Sequence, residues 1–206
     1  MKVLLLNGSP NEKGCTYTAL TEVANALESC GVETELLWLG REPLAGCSGC
    51  GACGKLGKCV HGDVVNAAAE KARACDGLVV GSPVHYAAAS GQLTSALDRL
   101  FFSAGSALRF KPGAAVVSAR RAGTTAALDQ LNKYFTINQM PVVSSRYWNM
   151  VHGSCPDDVR KDEEGLAVMR TLGRNMAWLL KSIEAGRSAG LELPEQEPPV
   201  RTNFIR

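Results

Sequence analysis

Four cysteines lie within the stretch CSGCGACGKLGKC at residues 47–59. Two residues separate Cys47 from Cys50 and Cys50 from Cys53, and five residues separate Cys53 from Cys59. This is close to the compact spacing with which a tight loop supplies four thiolates to a [4Fe–4S] cluster. Structural zinc usually separates two Cys-x2-Cys pairs by about twelve or more residues, so zinc or another metal fits less well. Free or redox-active thiols are the third interpretation.

Glycine is interspersed with these cysteines, at Gly46, Gly49, Gly51 and Gly54. Glycine permits sharp turns and lets backbone N–H groups approach sulfur. No helical or strand-like apolar repeat accompanies the cysteines, so we exclude a core role for them. The other four cysteines, Cys15, Cys30, Cys75 and Cys155, are scattered, and Cys30 and Cys75 end predicted helices as structural residues.

A second stretch with chemical potential is NGSPNEKGCTYTAL at 7–20, which runs from an apolar segment directly into an amphipathic one. The N-terminus of a helix in this position offers free N–H groups and partial positive charge to a phosphate. A triphosphate loop needs four residues between its glycines and then a lysine, but five separate Gly8 from Gly14 and no lysine follows. The dinucleotide pattern G-x-G-x-x-G is absent too.

A terminal monophosphate fits this stretch better. The hydroxyls of Ser9, Thr16 and Thr18, together with backbone N–H groups, would bind it without transferring it. The alternative is that Ser9, Asn11 and Thr16 only cap the following helix.

Alternating strands and helices must position these stretches. The predicted strands are 3–6, 33–39, 77–82, 113–118 and 141–145. Between and after them, apolar residues recur at helical spacing around 20–27, 65–72, 93–100, 128–135 and 166–183. This order predicts an α/β fold with a parallel sheet covered by helices on both faces, whose ligands bind beyond the carboxyl ends of the strands.

Two further loops should meet at that edge. GSPVHY at 81–86 follows the third strand, and Tyr86 is suited to lie against a flat ring. His85 is either an acid or base there or a hydrogen-bonded loop residue. SARRAGTT at 118–125 follows the fourth strand, and either Arg120 or Arg121 would supply positive charge, unless both are solvated or bind a partner.

Composition and charge limit the kinds of molecule that the protein binds and indicate its cellular compartment. The chain has 206 residues, with 22 basic and 20 acidic side chains and a net charge of +2. This balance, without a basic block, predicts neither nucleic acid nor membrane as a partner. The four apolar residues 3–6 are too few for a signal peptide or a membrane span, so we expect a cytoplasmic protein. Reduced thiols suit that compartment.

We predict one domain over 1–206, with a cysteine-rich insertion at 40–62 and an extended tail at 190–206. Three prolines exclude helix from the tail, yet it ends near Phe204 and Ile205. It is either disordered or an arm that packs on a partner subunit. Tyr147 and Trp148 either wall a ligand site across a dimer or plug the end of the sheet.

The two segments 7–20 and 81–100 resemble the flavin-binding segments of the flavodoxin-like NAD(P)H-dependent FMN reductases, and the similarity covers about residues 1–150. It implies a doubly wound five-stranded sheet with strand order 2-1-3-4-5 and bound FMN. The implied phosphate-binding residues are Ser9, Asn11, Cys15, Thr16, Tyr17 and Thr18. Pro83, Val84, His85 and Tyr86 would follow the isoalloxazine. Ser118, Arg120, Arg121, Gly123 and Thr124 would complete the site.

The cysteine stretch resembles that of the iron–sulfur flavoproteins, a branch of the same family, and Cys47, Cys50, Cys53 and Cys59 match its motif position by position. The resemblance implies a [4Fe–4S] cluster near the FMN in an oxidoreductase that exchanges electrons with NAD(P)H or a carrier. The flavin carries the chemistry, with His85 and Arg120 as candidate helpers. We expect a homodimer or a dimer of dimers, with a small-molecule or protein electron donor and acceptor. The alternatives are a cluster-free NAD(P)H-dependent FMN or quinone reductase and a non-enzymatic thiol or zinc sensor.

Overall fold

The computed structural model describes residues 1–200, Thr202 and Phe204. Over this part the strands are β1 (Lys2–Asn7), β2 (Glu33–Trp38), β3 (Gly77–His85), β4 (Ala88–Ala89), β5 (Gly113–Ala119) and β6 (Met150–His152). The α-helices are α1 (Cys15–Ser29), α2 (Cys53–Leu56), α3 (Val64–Ala74), α4 (Gly91–Ala104), α5 (Thr124–Ile137), α6 (Pro156–Lys161) and α7 (Glu163–Ser188). A short 3-10 helix follows α4 at Gly105–Leu108.

The main sheet has the order β2-β1-β3-β5-β6, and all of its pairings are parallel. This confirms the predicted order of five strands. The short strand β4 was not predicted, and it pairs with β3 antiparallel as a hairpin. In the register of the sheet, Leu5 of β1 lies between Leu36 of β2 and Val79 of β3. The carboxyl ends of β1, β3 and β5 therefore meet at one edge.

Buried apolar side chains cover both faces of the sheet. On one face, Leu4 and Leu6 of β1 pack with residues of α3, α4 and α5, such as Leu97. On the other face, Leu5 packs with α1 and α7, including Met176. Successive residues of a strand point to opposite faces, so the part of a strand that is covered on both faces must be apolar throughout, as residues 3–6 of β1 and 113–117 of β5 are. This explains why the continuous apolar runs predicted the parallel strands correctly.

The predicted fifth strand at 141–145 is wrong. Residues 141–143 form only a bridge, between Gly113 and Val142, and regular pairing with β5 resumes at Met150–His152. Residues 144–148 leave the ladder between these two contacts, and the Asn149 carbonyl already accepts a hydrogen bond from the Val117 N–H. Because 141–145 is richer in β-branched residues than the short MVH of β6, the sequence favoured the wrong segment.

The described residues after α7 add no regular structure. Residues 191–200 have neither helix nor strand, and Phe204 is exposed. The prediction for Ile205 lies outside the described residues. In the part of the chain that the structure describes, no helix combines the length and apolarity needed to cross a membrane.

Candidate functional site

The loop at residues 8–14, between β1 and α1, is tied together by its own backbone and short side chains. Asn7 Oδ1 accepts a hydrogen bond from the Ser9 N–H at 3.0 Å, and Ser9 Oγ accepts one from the Asn11 N–H at 3.1 Å. The indole N–H of Trp38, at the end of β2, donates to the Ser9 carbonyl at 2.8 Å. Ser9 is buried, so the loop has a defined shape before any ligand binds.

The N-terminus of α1 opens onto this loop. Its N-cap residue is Gly14, no side chain caps the helix, and its first turn contains no acidic residue. The alternative that Ser9, Asn11 or Thr16 caps the helix therefore does not hold in the structure. The first-turn N–H groups have no intrahelical partner, and they are the groups that bind anions at helix N-termini. Burial raises the pKa of the Cys15 thiol, so this side chain adds no negative charge at neutral pH.

Thr16 lies beneath the loop rather than at its surface. It is buried, and its hydroxyl is 2.8 Å from that of Ser118 at the end of β5. The side chains of Thr16 and Leu20 also fill the space beside Gly81, where an added Cβ would lie 2.8 Å from Thr16 Cγ2. Thr16 and Ser118 thus join the α1 N-terminus to the sheet, while Ser9, Tyr17 and Thr18 border the loop.

The loops after β3 and β5 contact each other at the same edge. The hairpin between β3 and β4 turns at Tyr86 and Ala87, which both have positive φ, 50° and 60°. Gly123 has φ 90°, and a Cβ there would lie only 2.7 Å from Ala87 Cα and 3.0 Å from Val84 Cγ1. Left-handed backbone at non-glycine residues is costly and is concentrated at functional sites. The close approach explains why glycine occupies position 123.

Polar and aromatic side chains of these two loops face solvent. Tyr86 is fully exposed, and His85, Arg120 and Arg121 are exposed as well. The helix α5 begins at Thr124 without a side-chain cap or an acidic residue in its first turn. The exposed Arg120 and Arg121 and the N-terminus of α5 therefore lie at the same edge of the sheet as the N-terminus of α1.

Tyr147 and Trp148 lie elsewhere. Their rings form an edge-to-face pair with centroids 4.9 Å apart. They border a small cavity with His152, Glu164 and Val168, beside β6 and the start of α7. Within one chain they therefore lie along the sheet edge, and a role as a wall across a dimer stays a prediction.

The cysteine loop, residues 40–62, begins at the carboxyl end of β2 and then runs along α4. Gln92 in the first turn of α4 donates to the Gly40 carbonyl at 2.8 Å. Further along the helix, the Cys53 thiol contacts the Phe102 carbonyl at 3.6 Å. Gly49 and Gly51 have φ of 68° and 69°, which confirms that glycine permits the sharp turns of the loop.

All four cysteines of the loop border one cavity of about 90 Å³, and the others that line it include Phe102 and Arg99. Cys47 and Cys50 are exposed, whereas Cys53 and Cys59 are half-buried. Among the described residues, no three His, Cys, Asp or Glu side chains converge closely enough to hold a single metal ion. The structure therefore brings the four thiols to the border of one cavity.

Cys59 is the most firmly held of the four. Its N–H donates to Asn66 Oδ1 at 2.9 Å, and its carbonyl accepts from Asn66 Nδ2 at 3.0 Å. Its sulfur accepts a hydrogen bond from Arg99 Nε at 3.2 Å. Arg99 also binds both oxygens of Asp63, at 2.7 and 2.8 Å. These partners were missed in the sequence because they lie outside the cysteine motif, Asn66 on α3, Asp63 at its N-cap and Arg99 on α4.

Local electrostatics favour thiolate in part of the loop. Hydrogen bonds from the Ala52 backbone and then from the Ser48 side chain lower the pKa of Cys50. Burial acts to raise the pKa of Asp63, but hydrogen bonds from Arg99 and the Val65 N–H, with the Arg99 charge, bring it below its usual value. Asp63 is therefore ionised at neutral pH and neutralises the buried guanidinium.

Comparison with known proteins defines the class. A solved flavodoxin from the domain Archaea matches with a TM-score of 0.61 and 15% identity, over 88% of this chain and 99% of that one. The fold is therefore flavodoxin-like. The family model described as NADPH-dependent FMN reductase matches residues 1–154.

Curated relatives identify the branch. An iron–sulfur flavoprotein of Methanocaldococcus jannaschii is 34% identical over 192 residues, which cover 89% of this chain and 100% of that protein. An iron–sulfur flavoprotein of Methanosarcina thermophila is 27% identical over 191 residues, 91% of this chain and 99% of that one. The chain belongs to the NADPH-dependent FMN reductase family, in its iron–sulfur flavoprotein branch.

Proposed function

We propose that this chain is an FMN-dependent NAD(P)H oxidoreductase or electron-transfer protein that also binds one [4Fe–4S] cluster through Cys47, Cys50, Cys53 and Cys59. The observation that carries the proposal is the presence of two separate sites on one fold. One is an open helix N-terminus at the flavin edge, and the other is a cavity bordered by four thiols. The family name supports the flavin, and the names of the curated relatives support the cluster.

The 8–14 loop would bind the FMN phosphate. Ser9 donates its hydroxyl, and the first-turn N–H groups of α1 point at the anion. No charged side chain of the loop is needed, because the partial positive charge of the helix N-terminus supplies the electrostatic attraction. Thr16 and Ser118 support this arrangement from below through their mutual hydrogen bond.

The flavin ring would lie between the hairpin at 83–87 and the loop at 120–124, whose backbones touch at Gly123. FMN, when bound, accepts two electrons from a hydride donor and releases them one at a time. Either Arg120 or Arg121, together with the α5 N-terminus, would supply positive charge where the reduced ring becomes negative, which would favour reduction. His85 is exposed at the hairpin, next to the proposed ring site.

The cysteine loop would carry electrons between the flavin and a partner. A [4Fe–4S] cluster, when bound, accepts and donates single electrons. The half-buried Cys53 and Cys59 fix one side of its cavity against α4, while Cys47 and Cys50 lie on the exposed side. Exposed thiol ligands put this site within reach of an external donor or acceptor.

The two sites are separated along α4. Ser90, the N-cap of α4, donates to the Gly8 carbonyl at 2.8 Å, whereas Arg99 contacts the cysteine loop. Nine residues of helix correspond to about 14 Å. Direct electron transfer between flavin and cluster remains part of the proposal.

Assembly and location belong to the same proposal. We propose a homodimer or a dimer of dimers, because the large side chains of Tyr147, Trp148 and Phe204 are exposed. A cytoplasmic location suits eight cysteines that are all free. Sedimentation of the purified protein at micromolar concentration tests the assembly, and a monomer would contradict it.

Anaerobic purification tests the central claim. Protein made and kept without oxygen should contain one FMN and about four iron and four sulfide per chain. If the protein contains FMN but no iron, the second candidate takes its place, a cluster-free FMN or quinone reductase, which the family match favours. Absence of both flavin and iron would instead point to a thiol or zinc sensor.

A further inference from the structure

The guanidinium of Arg99 extends from α4 to the cysteine loop and contacts it. Its side chain has no exposed surface, although it sits on α4 between the apolar residues Leu97 and Leu100. Burying a charged group is costly unless it is paired and hydrogen-bonded. The contacts of Arg99 should therefore explain why the residue is there.

All five N–H donors of Arg99 are used. Nε donates to Cys59 Sγ at 3.2 Å. One terminal nitrogen donates to Asp63 Oδ2 at 2.8 Å and to the Ala45 carbonyl at 3.2 Å. The other donates to Asp63 Oδ1 at 2.7 Å and to the His61 carbonyl at 3.3 Å. A guanidinium has five donors, so none is left unpaired.

These contacts hold both ends of the cysteine stretch. Ala45 lies two residues before Cys47, and His61 lies two residues after Cys59. Arg99 therefore fixes the entry and the exit of the loop against one helix. The planar guanidinium matters here because its five N–H donors point in fixed directions toward these acceptors. A lysine ammonium has only three donors and cannot bind all of them.

We propose that Arg99 is a positioning residue for the fourth cysteine ligand, and that its N–H bond to the Cys59 sulfur raises the reduction potential of the bound cluster. Reduction adds one electron to the cluster and thus negative charge next to the sulfur. A cation that donates a hydrogen bond to that sulfur stabilises the reduced form. Asp63 opposes this effect, because its carboxylate neutralises the same guanidinium. The inference rests on the proposed function, since it requires the cluster.

A matched control exists on the neighbouring helix. Arg73 of α3 also ties the cysteine loop to α4, because its terminal nitrogen donates to the Gly57 carbonyl at 2.6 Å and to the Ser103 carbonyl at 2.7 Å. The described contacts of Arg73 include no sulfur. Comparing variants of the two arginines therefore distinguishes the effect of anchoring the loop from the effect of the hydrogen bond to the Cys59 sulfur.

The experiment measures iron, sulfide, FMN and the cluster reduction potential in anaerobic wild type, Arg99→Lys, Arg99→Gln, Asp63→Asn and Arg73→Lys. The potential is followed by EPR during one-electron reduction with dithionite. We expect a lower potential in both Arg99 variants, with the larger shift in Arg99→Gln because it also loses the charge. Asp63→Asn should raise the potential, since the guanidinium is then uncompensated. Asparagine caps helices as well as aspartate, so the start of α3 is preserved.

Retention of FMN shows that a variant is folded. Arg99 variants that keep four iron at the wild-type potential would overturn the inference, and so would an equal shift in Arg73→Lys. If iron is lost, loss confined to the Arg99 variants supports the inference, whereas equal loss in Arg73→Lys contradicts it. Wild-type protein without iron would instead refute the proposed function itself, before any variant is compared.

Discussion

The 8–14 loop and the cysteine loop leave the same edge of the sheet after neighbouring strands, but they are held in different ways. The 8–14 loop is short, its first residues are buried, and its bonds come mainly from its own residues, with further bonds from Trp38, Ser90 and the Gly81 carbonyl. The cysteine loop is mostly exposed and is held by long side chains of α3 and α4, above all Arg99. A cofactor site can therefore be encoded locally or by residues far away in the sequence.

The comparison has a consequence for substitutions. Changes in the 8–14 loop should affect FMN binding, and those that crowd its buried residues should also destabilise the sheet edge. Changes in the cysteine loop should affect its metal content alone, because few core contacts depend on it. The predictions below test this separation.

The largest effect is expected from Cys50→Ser. Cys50 is exposed, so its sulfur contributes little to packing, but the proposed cluster loses one of four ligands. Anaerobically purified variant should contain almost no iron and a full complement of FMN. Cys155→Ser removes an exposed thiol outside the loop and should keep its iron. Equal iron content in the two variants would contradict the proposed ligand.

A smaller effect is expected from Ser9→Ala, which should weaken FMN binding and leave the iron content unchanged. A hydrogen bond to a phosphate contributes about 1.5 to 3 kcal/mol, so the Kd for FMN should rise about ten- to a hundredfold. Titration of flavin-free protein by fluorescence measures this. Ser48→Ala removes the corresponding hydroxyl from the cysteine loop and should leave the Kd unchanged. An unaltered Kd in Ser9→Ala would show that this hydroxyl does not bind the FMN phosphate.

Glycine substitutions compare the packing of the two loops. A Cβ at Gly8 would lie 2.6 Å from Leu93 Cβ, which the helix α4 holds in place. Gly8→Ala should lower the free energy of unfolding by about 1 to 3 kcal/mol. At Gly54, in α2, an added Cβ meets nothing within 4 Å. Gly54→Ala should be neutral or stabilise by up to about 1 kcal/mol. Urea unfolding measures both, and similar losses would show that the loops are equally packed.

The smallest effect on the free energy of unfolding is expected from Glu35 of β2, which lies outside both loops. Its pKa is lowered by hydrogen bonds from Lys2 and then from Lys71. A lowered carboxylate pKa stabilises the fold above the ordinary value of about 4.3 and stops doing so as the pH falls through the folded-state pKa. The group is partly exposed, so Glu35→Gln should cost under about 1 kcal/mol at pH 7 and nothing at low pH. Chemical unfolding at pH 7 and pH 3 checks this, and FMN and iron should not change.

The sequence predicted the parts of the fold that depend on local pattern. The strands β1, β3 and β5 are continuous apolar runs, and α7 carries a long helical repeat. The interrupted last strand could not be predicted, because its pairing depends on where β5 offers free backbone groups. Residues 141–143 and 150–152 share that edge, and neither segment indicates this by itself.

The candidate site likewise has features that local sequence indicates and features that depend on distant residues. The cysteine spacing and the 8–14 loop are local, so both were recognised as candidate sites. The Thr16 hydroxyl, which was expected to bind the phosphate, has a partner that the sequence did not indicate, the hydroxyl of Ser118, 102 residues away. The contact between Arg99 and Cys59 spans 40 residues. Contacts of this kind follow from how helices pack on the sheet, which no spacing in the sequence reveals.

The interrupted last strand has a further consequence for the behaviour of the molecule in concentrated solution. An exposed strand edge with unpaired backbone groups can recruit a strand from another chain and start aggregation. Here the edge strand β6 has only three residues, and the loop 144–149 carries the exposed Arg146 beside it. Short length and an adjacent charge are two of the ways in which sheet proteins block such pairing. This edge is therefore a poor template for intermolecular strand addition.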